Sequence, residues 1–181
     1  MFQNLPDYVP EKTCLSCQGC CRFNAVNSQW RPKISQEEMD AVHQTLELGR
    51  NMYSSATVDQ DHFLKTSEIP KLYQSMAYCK CAFFDIENNK CKIYKHRPFD
   101  CRLYPFLLIK KDGAYFVGVH LNCPFIEKTR HQQVFKDHVE KLKTFFAQPD
   151  VLEYFQRNKF LAGEFTEYQN EVDCLFKLEI S

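Results

Sequence analysis

The sequence has few glycines, no long hydrophobic run and no excess of charge of either sign. Its five glycines, without any low-complexity stretch, argue against a disordered chain. Lysine plus arginine and aspartate plus glutamate balance at 23 each, which argues against a broad surface for nucleic acid or anionic lipid. No apolar stretch approaches transmembrane length, so we expect no membrane-spanning segment.

The first residues also lack the features of a secretory signal, since they have neither a basic start nor an apolar run. We therefore expect a cytoplasmic protein, in a reducing compartment where disulfides are rare. In that setting, ten cysteines in 181 residues indicate metal or redox chemistry rather than a disulfide framework. No Ser-His-Asp, Walker or Rossmann signature is present, so no known catalytic motif identifies a reaction.

What the sequence does contain is a dense group of cysteines, Cys14, Cys17, Cys20 and Cys21, within eight residues. Their spacing, Cys-x-x-Cys-x-x-Cys-Cys, makes two overlapping loops. Each loop has the size that lets both of its ends bind one metal ion or one iron–sulfur cluster. Four thiols in so short a stretch are too dense for ordinary core packing, and we interpret them as metal ligands.

Four later cysteines complete a set of eight candidate metal ligands: Cys81, Cys91, Cys101 and Cys123. Adjacent cysteines seldom ligate one metal together, so the eight fit two sites, or one site with a neighbouring thiolate. Bacterial ferredoxins hold a four-iron cluster with Cys-x-x-Cys-x-x-Cys and a remote Cys-Pro. The matching set here is Cys14, Cys17, Cys20 and Cys123, which leaves the other four for a second site or a zinc ion.

Basic residues close to the cysteines indicate how thiolate charge is offset. A four-thiolate site with a divalent metal carries a net charge of about −2. Arg97 and Arg102 could bind an anionic substrate or donate hydrogen bonds to the thiolates. We favour the second role, because it needs no substrate. Cys79 and Cys174 match no ligand position and are expected to be non-ligands.

Short strands around polar turns predict two β-hairpins. The first spans residues 79–94 and would bring Cys81 and Cys91 near each other across its turn. The second joins Leu107–Lys110 to Tyr115–Val119 through an Asp-Gly pair, the strongest short turn signal.

Helix signals flank these hairpins. Ser35 and Glu38 form a capping box that predicts a helix over about residues 36–48. Pro98 is suited to open a helical turn, and Cys101 would lie on that turn.

The C-terminal part is predicted to be helical. Residues 129–147 show a helical pattern with Val134, Leu142 and Phe145 on one stripe. A shorter helix is predicted for Val151–Asn158, and no element is predicted for the tail beyond it.

Together these elements predict an α+β fold, a small cysteine-rich domain stapled by metal, with short β-hairpins and flanking helices. We expect residues 1–128 to form the metal-binding domain. Residues 129–181 would form a C-terminal helical extension packed on the same domain.

The cysteine pattern continues into an ordered block, C-A-F-F-D…N-N-K-C-K-I-Y-K-H-R-P-F-D-C-R-L-Y-P-F, followed by a later C-P. Over roughly residues 14–126 the chain resembles the YkgJ-type CxxCxxCC family, described as a zinc- or iron-chelating domain. The resemblance implies metal binding, with the eight cysteines above as ligands. A related module occurs in flagellin lysine methylases, where an iron–sulfur cluster accompanies methyl transfer from S-adenosylmethionine. The present chain has no Gly-rich nucleotide loop of its own.

Two functional hypotheses follow, because all-thiolate sites suit both zinc and iron. The first is a metalloprotein that binds an iron–sulfur cluster, of the 4Fe-4S type, and/or zinc, and whose cluster serves redox chemistry or modification of a protein or small molecule. The second is a non-catalytic interaction module stapled by zinc. The partner is expected to be a protein or small molecule, not nucleic acid and not a membrane. The sequence leaves open which metal is bound and whether the chain is an enzyme.

Overall fold

This computed structural model describes residues 2, 4–17, 19–45, 53–54, 57–73 and 78–180, with only the backbone described at 42–45 and 73. The chain divides into two compact units. The first is Pro10–Cys101, and the second combines Phe2–Val9 with Arg102–Ser181. Helices and small antiparallel sheets are both present, which confirms the α+β class. The expected boundary after residue 128 stays a prediction.

The first unit is built from short helices and strands, and it ends within the last helix named here. In chain order these elements are α1 (Glu11–Ser16), β1 (Arg22–Phe23), α2 (Gln36–Thr45), β2 (Thr66–Glu68), β3 (Cys79–Cys81), β4 (Phe84–Asp85), β5 (Lys90–Cys91) and α3 (Phe99–Leu103). Helical turns of the 3₁₀ type lie at Lys71–Tyr73 and Tyr94–His96. Elements this short depend on tertiary contacts rather than on their own helix or strand propensity.

Strand β3 is the central strand of an antiparallel sheet with the order β1-β3-β2. Arg22 pairs with Lys80, and Thr66 pairs with Cys81. Because side chains alternate along a strand, Cys79 and Cys81 share one face, and both are buried. The sheet therefore fixes Cys81 within the hydrophobic core of this unit.

The expected hairpin over residues 79–94 is shorter than predicted. Only β4 and β5 form it, with Phe84 opposite Cys91 and Asn89 at a φ of 51° in the turn. Strand β3 pairs with β1 and β2 instead, since these strands supply hydrogen bonds along both of its edges and a hairpin supplies them along only one.

The predicted capping box at the start of α2 is confirmed. The Glu38 amide donates to Ser35 Oγ at 3.1 Å, and the Ser35 amide donates to Glu38 Oε2 at 3.1 Å. The helix begins at Gln36 as expected and is described as far as Thr45. The remainder of the predicted helix, residues 46–48, lies outside the described residues.

The second unit contains longer elements. After α3 these are β6 (Phe106–Lys111), β7 (Ala114–His120), α4 (Pro124–Thr129), α5 (Gln133–Phe146), α6 (Pro149–Arg157) and β8 (Val172–Leu178). Among the described helices, none is both long and apolar enough to cross a bilayer.

The sheet of the second unit is antiparallel with the order β6-β7-β8. The predicted Asp-Gly hairpin is confirmed, and Asp112 and Gly113 have φ values of 51° and 77°, as a two-residue hairpin turn with two positive φ angles requires. Strand β8, which was not predicted, pairs with β7 through a register shift at Val117/Gly118. At Gly118 a Cβ atom would overlap the Ile109 side chain, so the sheet accepts only glycine there without rearrangement.

The predicted helix over residues 129–147 corresponds to α5, which begins later, at Gln133, and ends at Phe146, whereas the short helix α4 that ends at Thr129 was not predicted. Leu142 and Phe145 are buried as expected, but Val134 is 52% exposed. Phe135 fills the core at this end of α5 instead and stacks on Phe106 with ring centroids 5.9 Å apart. The face of α5 that meets the core therefore carries Phe135 rather than its neighbour Val134. The shorter helix is confirmed as α6, which begins two residues earlier than predicted.

Candidate metal centre

Seven of the eight predicted ligands belong to the first unit: Cys14, Cys17, Cys20, Cys21, Cys81, Cys91 and Cys101. All ten cysteines of the chain are described, and every one is a free thiol. The first unit thus collects most of the chain's thiols without joining any of them in disulfides.

Helix α1 positions the first cysteines. It begins directly after Pro10, whose carbonyl accepts from the Cys14 amide at 3.0 Å. At the other end of the helix, the Gly19 amide donates to the Sγ atom of Cys17 at 3.4 Å. Asn89, in the turn that precedes Cys91, donates to the Leu15 carbonyl at 3.3 Å. This bond ties α1 to the β4–β5 hairpin, and so brings the segments that carry Cys14 and Cys91 together.

Backbone pairing positions a second group of cysteines. The Cys81 amide donates to the Cys21 carbonyl at 3.0 Å, which extends the β1–β3 ladder by one pair. Cys81 belongs to the buried cluster of the first unit, and the partly buried Cys21 and Cys101 pack against that cluster. The two adjacent cysteines therefore differ in their surroundings. The backbone of Cys21 is hydrogen-bonded to strand β3, whereas Cys20 lies one residue before this pairing.

Buried carboxylates hold the start of helix α3, which carries Cys101. The amide of Phe99 donates to Glu38 Oε1 at 2.5 Å, so Glu38 caps α3 as well as α2. Asp100 accepts from the amide of Lys33 at 2.9 Å. Burial in this region raises the pKa of the Asp100 carboxyl to about 6. The helix that presents Cys101 is thus attached to two other segments of the same unit.

Burial makes most of these thiols reluctant to ionise. It is the main reason that the pKa is raised to about 11 at Cys14 and Cys81, and that it is raised at Cys91 and well above the ordinary value at Cys101. Negative charge on Cys20 adds to the rise at all four. Removal of several protons therefore requires a compensating positive charge, which a bound metal cation supplies.

The pKa of Cys20 shifts in the opposite direction to that of these four thiols. A side-chain hydrogen bond from Cys21 lowers the pKa of Cys20, and the positive charge of Arg97 acts in the same direction. The same hydrogen bond is the main reason that the pKa of Cys21 is raised. Cys20 is therefore the thiol of this pair that ionises first, and it interacts electrostatically with thiols on α1, β3, β5 and α3.

Of the two arginines singled out in the sequence, Arg97 reaches a thiol. Its Nη1 atom donates to Cys14 Sγ at 3.5 Å, and its Nε donates to the Tyr94 carbonyl at 3.1 Å. Burial alone would lower the pKa of the Arg97 guanidinium, but the negative charge on Cys14, with that of Tyr94, Cys101 and Cys91, raises it. Arg102 belongs to the second unit, where it donates to the carbonyl of Phe2 at 2.7 Å.

The thiols are neighbours, but they do not form a closed coordination shell. Within the described ranges, no three Cys, His, Asp or Glu side chains are grouped so that they could hold a metal ion. Their donor chemistry nevertheless fits zinc or iron, since both metals take all-thiolate sites. Ligation by these residues requires the side chains, several of them on short loops, to turn toward one point.

The remaining cysteines are Cys79 in the first unit and Cys123 and Cys174 in the second. Cys123 belongs to the second unit, where it is buried directly before α4. Cys79 is buried on β3 opposite Phe23, and Cys174 is exposed on β8. The roles expected for these three, one ligand and two non-ligands, stay predictions.

Sequence reasoning missed two residues close to the thiols. The Tyr53 hydroxyl donates to the His96 carbonyl at 2.7 Å, and its pKa is raised by burial and by the charge of Cys101. No local pattern marks this tyrosine. Asn89 was visible only as part of a polar turn, where its tolerance of positive φ is a recognised signal.

A set of free, partly buried thiols with one guanidinium among them defines a cysteine-rich candidate metal-binding domain. The chain belongs to the CxxCxxCC family, whose sequence model, described as "Putative zinc- or iron-chelating domain", matches residues 13–168. The resemblance found in the sequence is thereby confirmed, and the match extends further toward the C-terminus than the cysteine block. No solved structure matches the chain.

Proposed function

We propose that the first unit binds an iron–sulfur cluster, of the 4Fe-4S type, or zinc through the cysteines gathered around Cys20. One observation carries the proposal: seven free thiols from four separate segments share one compact unit, and neighbouring thiols shift the pKa of six of them. Family membership supports zinc or iron as the metal. A bound cluster would supply one-electron transfer or an iron with an open position, whereas zinc would supply a structural cross-link.

Contacts within the unit favour a particular ligand set for a cluster. Cys14, Cys17 and Cys20 provide the Cys-x-x-Cys-x-x-Cys triplet, and the Asn89–Leu15 hydrogen bond draws the segment of Cys91 to the same helix. We therefore propose Cys91 as the fourth ligand. Cys123, the fourth member of the ferredoxin-like set in the sequence, stays a predicted ligand.

The remaining thiols of the unit form a second proposed ligand group, Cys21, Cys81 and Cys101. Cys21 lies directly before β1, Cys81 lies on β3 and Cys101 lies on α3. The backbone hydrogen bond between Cys21 and Cys81 holds the first two in place, and the Glu38 cap holds the start of α3. Three thiolates suit a zinc ion with a further ligand or a site that shares Cys20. Redox or modifying activity, for a protein or small-molecule substrate, is the function that we propose for a centre with iron.

Removal of the Cys20 thiol tests this proposal. Because Cys20 interacts electrostatically with thiols of both proposed ligand groups, the Cys20→Ser variant should lose most of the bound metal. Cys174→Ser, at an exposed position of the second unit, is the matched control and should keep all of it. The measurement is zinc, iron and acid-labile sulfide per chain after purification without oxygen. A full metal content in Cys20→Ser would contradict the proposal.

A further inference from the structure

Arg97 occupies a restrained position at the end of the 3₁₀ turn Tyr94–His96. Its backbone has φ −58° and ψ 141°, the extended conformation that a following proline imposes, and Pro98 follows it. The guanidinium carbon lies 4.0 Å from the centre of the Tyr94 ring, and Nε donates to the Tyr94 carbonyl. Stacking and hydrogen bonding to Tyr94 thus hold the Arg97 side chain independently of any metal.

The free end of this guanidinium points toward the cysteine thiols. Nη1 donates to Cys14 Sγ at 3.5 Å, within the distance accepted for hydrogen bonds to sulfur. The positive charge also acts on Cys20, Cys91 and Cys101, so its influence is not confined to one thiol.

We propose that Arg97 is a positioning residue of the metal centre, which stabilises the Cys14 thiolate by a charge-assisted hydrogen bond and offsets part of the centre's negative charge. The inference rests on the proposed metal-binding function. A four-thiolate centre with a divalent metal has a net charge of about −2, and one fixed guanidinium next to it cancels about half. Loss of such an outer contact typically weakens metal binding by about 10- to 100-fold.

The experiment measures cobalt affinity by competition with a chromophoric chelator under anaerobic, reducing conditions. Cobalt(II) is the probe because its bonds to thiolates give intense charge-transfer bands. Arg97→Gln should bind cobalt at least about 10-fold more weakly than the wild type, because the charge and the donor are both lost. Arg97→Lys should recover part of the affinity, since it restores the charge without the planar fork.

Arg31→Gln is the matched control. Arg31 lies in the same unit and stacks on the Phe63 ring at 4.5 Å, but it donates to Asp59 at 2.7 Å rather than to a thiol. Its substitution should leave cobalt affinity unchanged. At saturation the charge-transfer bands of Arg97→Gln should keep wild-type intensity, because arginine is not a ligand, whereas a collapsed site would lose them.

If Arg97→Gln binds cobalt with wild-type affinity, this inference is overturned while the proposed metal-binding function stands. If that variant fails to fold, Arg97→Lys decides: an affinity several-fold below the wild type supports the inference, and equal affinity overturns it. A wild-type protein that binds no cobalt, zinc or iron would overturn the proposed function, and this inference with it.

Discussion

Replacement of Glu38 should destabilise the first unit strongly, because one buried carboxylate satisfies the starts of two helices. Its two oxygens accept from the amides of Ser35 and Phe99, and the residue is 8% exposed. A buried donor left without an acceptor costs about 1–3 kcal/mol. Glu38→Ala leaves two such amides, so we expect the free energy of unfolding to fall by about 3 kcal/mol.

Two further variants sharpen this prediction. Glu38→Gln keeps one acceptor oxygen and should cost about half as much as the alanine variant. Asp40→Ala is the matched control, since Asp40 is exposed on the same helix and bonds only locally to Gln36 in the structure. Its effect should stay within about 0.5 kcal/mol.

The assay is urea unfolding followed by the fluorescence of Trp30, the chain's one tryptophan, which packs against the buried cluster of the first unit. Metal-free, reduced protein is used, so that the result reports the hydrogen bonds rather than metal affinity. If Glu38→Ala is no less stable than Asp40→Ala, the proposed double cap is wrong. Equal losses for alanine and glutamine would show that the charge, rather than the acceptor geometry, carries the effect.

Two predictions concern the second unit. Burial against Phe106 lowers the pKa of His138 to about 4, below that of an exposed histidine, so the unfolded chain takes up the proton first. The stability that this residue contributes should therefore be full above about pH 6.5 and fall toward pH 4. His138→Phe should remove much of this loss in circular-dichroism melts at stepped pH. An unchanged pH profile in the variant would refute the assignment. Gly118→Ala should lower the free energy of unfolding by about 1–3 kcal/mol in the same melts, because the new Cβ would overlap Ile109 and approach the carbonyl of Asp173 at 2.6 Å. An unchanged stability would show that the strands can separate there.

Local signals in the sequence predicted the elements that depend on neighbouring residues. The capping box at Ser35 and Glu38 and the turn at Asp112-Gly113 each need only a few adjacent side chains to form. Strand β8 could not be predicted in this way, because its pairing with β7 joins segments that are far apart in sequence and includes a register shift.

The same distinction applies to the candidate site. The spacing of Cys14, Cys17 and Cys20 predicts that they are ligands, because the loops between them are local. The family resemblance implies the same eight ligands, but spacing alone does not say which remote cysteine lies beside which. The link from Asn89 to helix α1, which draws Cys91 toward the triplet, depends on a tertiary hydrogen bond with no counterpart in the local pattern.

Metal and acid-labile sulfide content of the whole chain, purified without oxygen and recorded with its visible spectrum, tests the central claim most directly. The account predicts bound iron with sulfide in similar amounts and a brown protein, or else stoichiometric zinc in a colourless one, and in both cases release of the metal when the thiols are alkylated. Iron with sulfide would direct attention to redox chemistry, and zinc to a structural centre. Protein that holds neither metal while its thiols are reduced would contradict the claim.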